Sequence, residues 1–438
     1  MSETFLPLAM AGLTLGAILL GYRVGMVLAG SAALFILISD LPIAFFNLLI
    51  SRIYANVLSN WLLVAIPMFI FMGLVLEVSG VAERSLRAAQ KALGGSAAGM
   101  GISVLVVGVL LAASSGIVGA SVVLLALLAL PRLLEAGYDK RTTAGLVTAS
   151  GTLAILIPPS VMLIILGDQL QTPVPSMFAG AIGPGLLLVL VYAFFVIWRS
   201  RGLPRITRDD RASPLQVLQV LLDLGPLLGL VAAVLGSIIA GVATPTEASG
   251  LGAFGAILMT LLYGRFSFAM VSDAARKTVI TTSTVLFLMI GATCFSAVFK
   301  GVGGDDLVET GILAFGDGPY TILAVVMISI FLLGFVLDWL EITLILMPIF
   351  APIVSGLDFG NGLAGDALLI WFGILVAVNL QTSFLTPPFG FSLFYLRGAV
   401  GDRLSTPEIY GGVAPFIALQ LLVLALLILF PGLITGLI

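Results

Sequence analysis

The sequence predicts an all-α polytopic membrane protein built from inverted repeats, with two re-entrant hairpins and two discontinuous helices. Three observations carry that prediction. Of the 438 residues, 60% are hydrophobic and 9% are charged, against about 25% charged in soluble domains. Apolar runs of roughly 18 residues or more, each long enough to cross a bilayer as helix, recur from end to end. Two Pro-Pro pairs, in "AILIPPSV" (154–161) and "SFLTPPFG" (383–390), interrupt two of those runs 229 positions apart, one in each half of the chain.

Composition also excludes. His is absent and Cys294 is the single cysteine, so intrachain disulfides, thiolate clusters, His-ligated haem and a Ser–His intramembrane protease are out. The side chain best suited to proton relays near neutral pH is missing too. The longest polar stretch, 198–213, is too short to fold alone, so the expected surroundings are the lipid bilayer, and no nucleic-acid partner is expected. Because further spans follow it, the apolar N-terminus reads as a first helix and not as a cleaved signal. Arg199, Arg201, Arg205, Arg208 and Arg211 crowd one loop, and Arg132, Lys140 and Arg141 another. Arg84, Arg87 and Lys91 form a third group, Arg265, Arg276 and Lys277 a fourth, Arg397 and Arg403 a fifth. Positive charge favours the cytoplasmic side. Segments 167–176 and 355–367 hold Asp168, Asp358 and Asp366 without Lys or Arg, which places them outside.

Threading the chain through those constraints gives two matching halves. Residues 5–21, 24–39 and 61–78 are spans, with Arg23 and Arg52 in loops. The 81–95 stretch is an amphipathic helix for the inner surface. The run 98–130 starts and ends beside basic groups, so it enters and leaves on one side, turning back at "AASSGIVGAS" (112–121). Residues 143–166 cross outward through the first double proline, and 177–198 return. Then 215–242, 246–263 and 279–300 are spans, and 304–317 is a second surface helix. The run 319–354 re-enters with "DWLEIT" (338–343) near its middle, 368–395 crosses through the second double proline, and 411–436 closes the chain. The second half repeats the first upside down. Inverted repeats with broken helices in matching positions mark secondary transporters, with sites at the repeat interface near the midplane.

Four polar stretches converge on that midplane. They are Ser114, Ser115 and Gly116 with Gly119 and Ser121; Thr148, Ser150, Gly151 and Thr152 before Pro158-Pro159-Ser160; Asp338, Glu341 and Thr343; and Asn379, Gln381, Thr382, Ser383 and Thr386 before Pro387-Pro388. A proline removes a backbone donor and frees a carbonyl one turn earlier. Freed carbonyls and hydroxyls are hard oxygen ligands, so each hairpin with the broken helix after it makes an oxygen-rich cage, for which sodium is the expected occupant. The alternatives are that the prolines merely kink helices, that Ser, Thr and Gly serve close packing, and that Asp338 and Glu341 form a structural salt bridge. Lys300, beside "GVGG", reads either as the counter-ion of a substrate carboxylate or as a lysine snorkelling to the interface. Glu247 reads as a cap or brace.

"GVATPTEASG" (241–250), "ASGTLAILIPPS" (149–160) and "NLQTSFLTPPFGFSLFYLRG" (379–398) together resemble the large membrane subunit of the tripartite ATP-independent periplasmic (TRAP) transporters, and the resemblance covers essentially the whole chain. It implies a Na⁺-coupled importer of organic acids, such as C4-dicarboxylates or sialic acid, in a bacterial inner membrane. It also implies an elevator movement and two partners: a periplasmic substrate-binding protein and a small four-helix membrane subunit. The implied ion sites are Ser114, Ser115 and Gly116 with Ser150, Gly151, Thr152 and Pro158, and Asp338, Glu341 and Thr343 with Gln381, Thr382 and Thr386. The implied substrate contacts are Ser114, Ser150, Asp338 and Lys300. Lys300 stands where sialic-acid members have an arginine; it keeps the charge without the bidentate fork, leaving smaller carboxylates or keto acids open. The implied division is a scaffold, 1–97 and 214–318, a mobile domain, 98–198 and 319–438, and an Arg-rich linker, 199–213. The rival readings are a sodium-dicarboxylate carrier without a binding protein, and a channel or structural membrane subunit. An intramembrane enzyme lacks both a His and a nucleophile motif.

Overall fold

The computed structural model describes residues 2–39, 41–42, 44–93, 96–115, 118–203, 214–360 and 362–438. Among them there are helices and turns and no strand, and seven helices are long and apolar enough to cross a membrane. In the first half, α1 (Ser2–Leu19) and α2 (Val24–Ile38) are followed by α3 (Phe45–Ile53), then α4 (Ala65–Val78) and the amphipathic α5 (Val81–Ala92). Helices α6 (Ala97–Ser115) and α7 (Val118–Glu135) form the first hairpin, α8 (Lys140–Thr152) and α9 (Val161–Gln169) the first broken helix, and α10 (Val174–Arg199) returns. In the second half, α11 (Pro214–Ile239), α12 (Pro245–Leu262) and the long α13 (Phe268–Gly301) precede the short α14 (Gly304–Leu313). The second hairpin is α15 (Pro319–Leu333) and α16 (Trp339–Ser355). The second broken helix is α17 (Gly365–Leu385) and α18 (Phe391–Val400), and α19 (Thr406–Leu429) and α20 (Gly432–Thr435) close the chain.

Capping chemistry sets several of these boundaries. Thr244 and Glu247 of "TPTE" form a capping box at the start of α12, with Pro245 in the first turn. Ser405 and Glu408 of "STPE" do the same for α19, which therefore begins at Thr406 and not near 411. Such reciprocal caps satisfy two orphan backbone donors at once. Asp139 caps α8 by accepting from the Thr142 N–H at 2.8 Å, so the first broken helix begins at Lys140 and not at 143.

Three further boundaries differ from the sequence expectation. Residues 45–58 are helical, Tyr54–Leu58 as a π turn continuing α3, so Arg52 is a helix residue and not a loop charge. Helix α13 begins at Phe268 and not at 279; Arg276 and Lys277 lie on it, both paired with Asp273, at 3.1 and 2.8 Å. The second surface helix stops at Leu313 and not at 317. The linker positions Arg205, Arg208 and Arg211 lie outside the described residues.

The packing is inside-out by soluble standards. Leu19, Leu37, Phe194, Leu262 and Phe268 present large apolar side chains outward, as a lipid-facing surface does, while α17 is buried almost along its whole length. Helix α4 packs along α12 and α2 along α13, two interfaces that exchange when the halves are swapped. At the centre, α8 lies against α7 and α19, and α17 against α15 and α16. Each broken helix is thus wrapped by the hairpin of its own half.

Candidate functional site

Both double prolines break their helices as expected. After Thr152 the backbone tightens into a 3-10 turn over Leu153–Ile155, and regular helix resumes only at Val161. In the second half it stops at Leu385 and resumes at Phe391. The Pro158-Pro159 and Pro387-Pro388 peptide bonds are both cis. A serine beyond each break reaches back to a carbonyl before it: Ser160 Oγ donates to Ile155 O at 2.7 Å, and Ser392 Oγ to Phe384 O at 2.5 Å. The two breaks are local repeats of each other.

They also meet. Gln381 Nε2 donates to Thr152 Oγ1 at 3.4 Å, across a sequence separation of 229. That is the separation of the two Pro-Pro pairs, so the bond joins equivalent positions and lies on the pseudo-twofold relation between the halves. Around it the hairpins close in. A side chain at Gly108 of α6 would strike Ser150, and one at Gly151 would strike Val122 of α7, so Gly151 lets the first hairpin approach. Asn379 Nδ2 donates to Met327 O of α15 at 2.7 Å, and Gly334, at the turn of the second hairpin, lies against Ser383. Small residues permitting such approach are a general device of helix packing in membranes.

The oxygens gathered here are mostly neutral. Thr152, Thr343, Thr382 and Thr386 each donate to a carbonyl of their own helix, at 2.7–2.9 Å. A hydroxyl that gives away its proton keeps its lone pairs, so each presents an acceptor outward. Among the described residues of this cluster, two buried groups have no protein partner, Ser150 Oγ and the Gln381 carbonyl oxygen Oε1. An unpaired buried polar group costs roughly 1–3 kcal/mol, and a small cation bound at each would relieve it. The residues present therefore fit an alkali ion. Gly116 lies outside the described residues, and Ser114 and Ser115 are described only as the last helical residues of α6.

Asp338 and Glu341 prove to be a capping box for α16, and not a salt bridge. Asp338 Oδ1 accepts from the Trp339 N–H at 2.8 Å, and Glu341 Oε2 from the Asp338 N–H at 3.1 Å. A helix N-terminus carries partial positive charge, so two carboxylates there stabilise the second leg of the hairpin at its inner end.

Lys300 lies apart from this cluster. Its ammonium donates to Pro348 O of α16 at 2.9 Å and sits 3.5 Å from Asp305. With Arg52 and Asp168 it lines a cavity of about 470 Å³ that Ser150 and Asp338 do not reach. Asp168, in the last turn of α9, accepts from Asn60 Nδ2 at 2.6 Å and from Gln169 Nε2 at 2.9 Å. Sequence reasoning missed Arg52 and Asn60 because polar residues dilute the apolar pattern of 45–60.

Comparison with known proteins accords with this architecture. The Alcanivorax borkumensis YdaH transporter superposes with a TM-score of 0.64 at 16% identity, covering 99% of this chain and 98% of that one; at that identity the likeness shows the fold alone. A 2,3-diketo-L-gulonate TRAP transporter large permease protein of Escherichia coli is 26% identical over 97% of this chain and 96% of its own. A C4-dicarboxylate TRAP transporter large permease protein of Pseudomonas aeruginosa is 29% identical over 79% of each. An isethionate TRAP transporter permease protein of Oleidesulfovibrio alaskensis is 29% identical over 90% of this chain, which spans only 60% of that longer protein. The model of the tripartite ATP-independent periplasmic transporter DctM component matches residues 11–433. With hairpins, paired breaks and homology in agreement, the chain belongs to the DctM family of TRAP transporter membrane components.

Proposed function

We propose that this protein is the large membrane subunit of a sodium-coupled importer of organic acid anions in a bacterial inner membrane. A periplasmic binding protein delivers the acid, and a small four-helix subunit braces the scaffold. The reading is carried by the meeting of the two broken helices at Thr152 and Gln381, beside the unpartnered Ser150 Oγ and Gln381 Oε1. Sodium enters the two oxygen-rich cages: Ser114, Ser115 and Gly116 with Ser150, Gly151, Thr152 and Pro158, and Thr343 with Asp338, Glu341, Gln381, Thr382 and Thr386. Its binding fixes the hairpin tips, so sodium and substrate raise each other's affinity, as linkage requires.

Lys300 meets the substrate carboxylate as it enters, and Ser114, Ser150 and Asp338 then hold the acid between the tips. The mobile body, 98–198 and 319–438, slides against the scaffold, 1–97 and 214–318, and releases the acid inward. The acids named for the Escherichia coli and Pseudomonas aeruginosa relatives support carboxylates as the cargo. In vesicles holding all three components, uptake of the delivered acid collapses when sodium is replaced by potassium. Uptake driven equally well by a proton gradient without sodium would refute the coupling.

A further inference from the structure

We infer that the cavity beside Lys300 receives a hydroxylated monocarboxylate, and that Arg52 is its second cationic anchor. This rests on the importer reading and sharpens its substrate class. The volume, about 470 Å³, lies in the usual range for small-molecule sites, roughly 300–1,000 Å³. Its walls come from both proposed bodies: α3, the turn after it and α13 on one side, α16 and the C-terminal end of α9 on the other.

Charge decides the class of anion. Arg52 and Lys300 are the two cations in the lining, and Asp168 is the one carboxylate, leaving a surplus of one positive charge. Asp305, 3.5 Å from Lys300, is not part of that lining. A monoanion matches that balance, whereas the second carboxylate of a dianion would meet Asp168. Among the described residues the Arg52 guanidinium has no ion pair or hydrogen bond, in contrast with Arg199, Arg276 and Arg397, which all have acidic partners. Arg52 therefore offers its whole fork to an incoming carboxylate, a geometry that guanidinium suits better than ammonium does.

Hydroxyl chemistry decides the rest of the ligand. On α13, Thr278 and Thr284 turn back to the carbonyls four residues earlier, at 2.8 and 3.0 Å. Thr293 and Ser296 make no such bond and line the cavity in register with Lys300, since positions three, four and seven apart share a helix face. Asn56 adds an amide to the same wall. These groups donate and accept, and the hydroxyls of a polyhydroxylated acid answer them; an alkyl chain would leave them unpaired, at a real loss in affinity.

The test titrates the full chain in lipid nanodiscs with D-gluconate, butyrate and succinate, at one fixed sodium concentration, by calorimetry. Gluconate binds at least tenfold more tightly than succinate, and more tightly than butyrate. Arg52→Gln weakens gluconate about tenfold to a hundredfold, the range for losing a hydrogen-bonded charge, while Arg52→Lys loses less. Thr293→Val with Ser296→Ala narrows the gap between gluconate and butyrate. Asp168→Asn raises the affinity for succinate relative to gluconate. Succinate binding as tightly as gluconate overturns the inference, as does unchanged gluconate affinity in an Arg52→Gln protein with the wild-type gel-filtration profile, or no binding of any probe. The vesicle assay judges the importer reading independently, so potassium-sensitive uptake alongside any of these results sinks the inference alone.

Discussion

Ser150 shows how one side chain can separate packing from binding. It is fully buried against Gly108, and its hydroxyl has no protein partner. A serine present only for its size would be replaced by alanine with little change, or with a small gain, because an unpaired buried hydroxyl costs roughly 1–3 kcal/mol. If the hydroxyl is a sodium ligand, removing it also removes part of what sodium stabilises. Ser150→Ala should thus unfold no earlier than wild type in choline buffer, while the sodium-induced rise in its melting temperature shrinks. Thermal unfolding of the two proteins across a sodium series measures both quantities, and an unchanged sodium response would leave Ser150 with a packing role only. Most residues of this cluster could be picked out in the sequence, because polar groups inside an apolar run stand out. Their pairing could not: no local pattern announces that Gln381 reaches Thr152, since that contact depends on how the halves are superposed.

At the scale of elements, the helix starts carry a second, pH-sensitive layer. Asp139 caps α8 and pairs with Arg199 at the end of α10 at 2.7 Å. Partial burial pushes its carboxyl up, but the Thr142 N–H and hydroxyl and the Arg199 guanidinium outweigh that and hold it below the ordinary carboxylate value. A depressed acid stabilises the fold above its unfolded pKa, and that contribution disappears as the pH falls through the folded value. Asp139→Ala should cost about 1 kcal/mol near neutral pH, the usual size of a lost N-cap, with the exposed ion pair adding little. The difference from wild type should fade as the pH drops below about 4, where free aspartate protonates; urea unfolding at pH 7 and at lower pH reads it, and a constant difference would rule out the carboxylate as the cause. The same local chemistry explains which elements were legible beforehand. The hairpins, the breaks and the TPTE start are written in proline, glycine and capping residues; the STPE start is written in the same residues, but the apolar run placed that helix near 411 instead. Helix α3 and its π turn were not legible, because Arg52, Asn56 and Asn60 serve the cavity wall at the expense of apolar periodicity.

Among the described residues, polar contacts join the proposed scaffold to the proposed mobile body, Arg132 to Gln90 among them, and the proposed sliding requires such contacts to break. Asn60, ahead of α4, donates to Asp168 in the last turn of α9 at 2.6 Å, and Lys300 on α13 donates to Pro348 on α16. Each joins a proposed scaffold segment to a proposed mobile one, near the same cavity. If the two bodies move relative to each other, tying Asn60 to Asp168 should stop transport without preventing binding. Cys294 is buried and is the single cysteine, so it is first replaced by alanine, and Asn60→Cys with Asp168→Cys is then introduced. The double variant should take up acid before treatment with a short, reducible dithiol cross-linker, lose at least tenfold of its uptake rate after it, and recover on reduction. Sodium-dependent thermal stabilisation should persist in the cross-linked protein, because the proposed ion cages are built from segments of the proposed mobile body alone. Full uptake with the cross-link in place would mean that this boundary does not slide, and that the halves deliver their cargo by a smaller local movement of the hairpins.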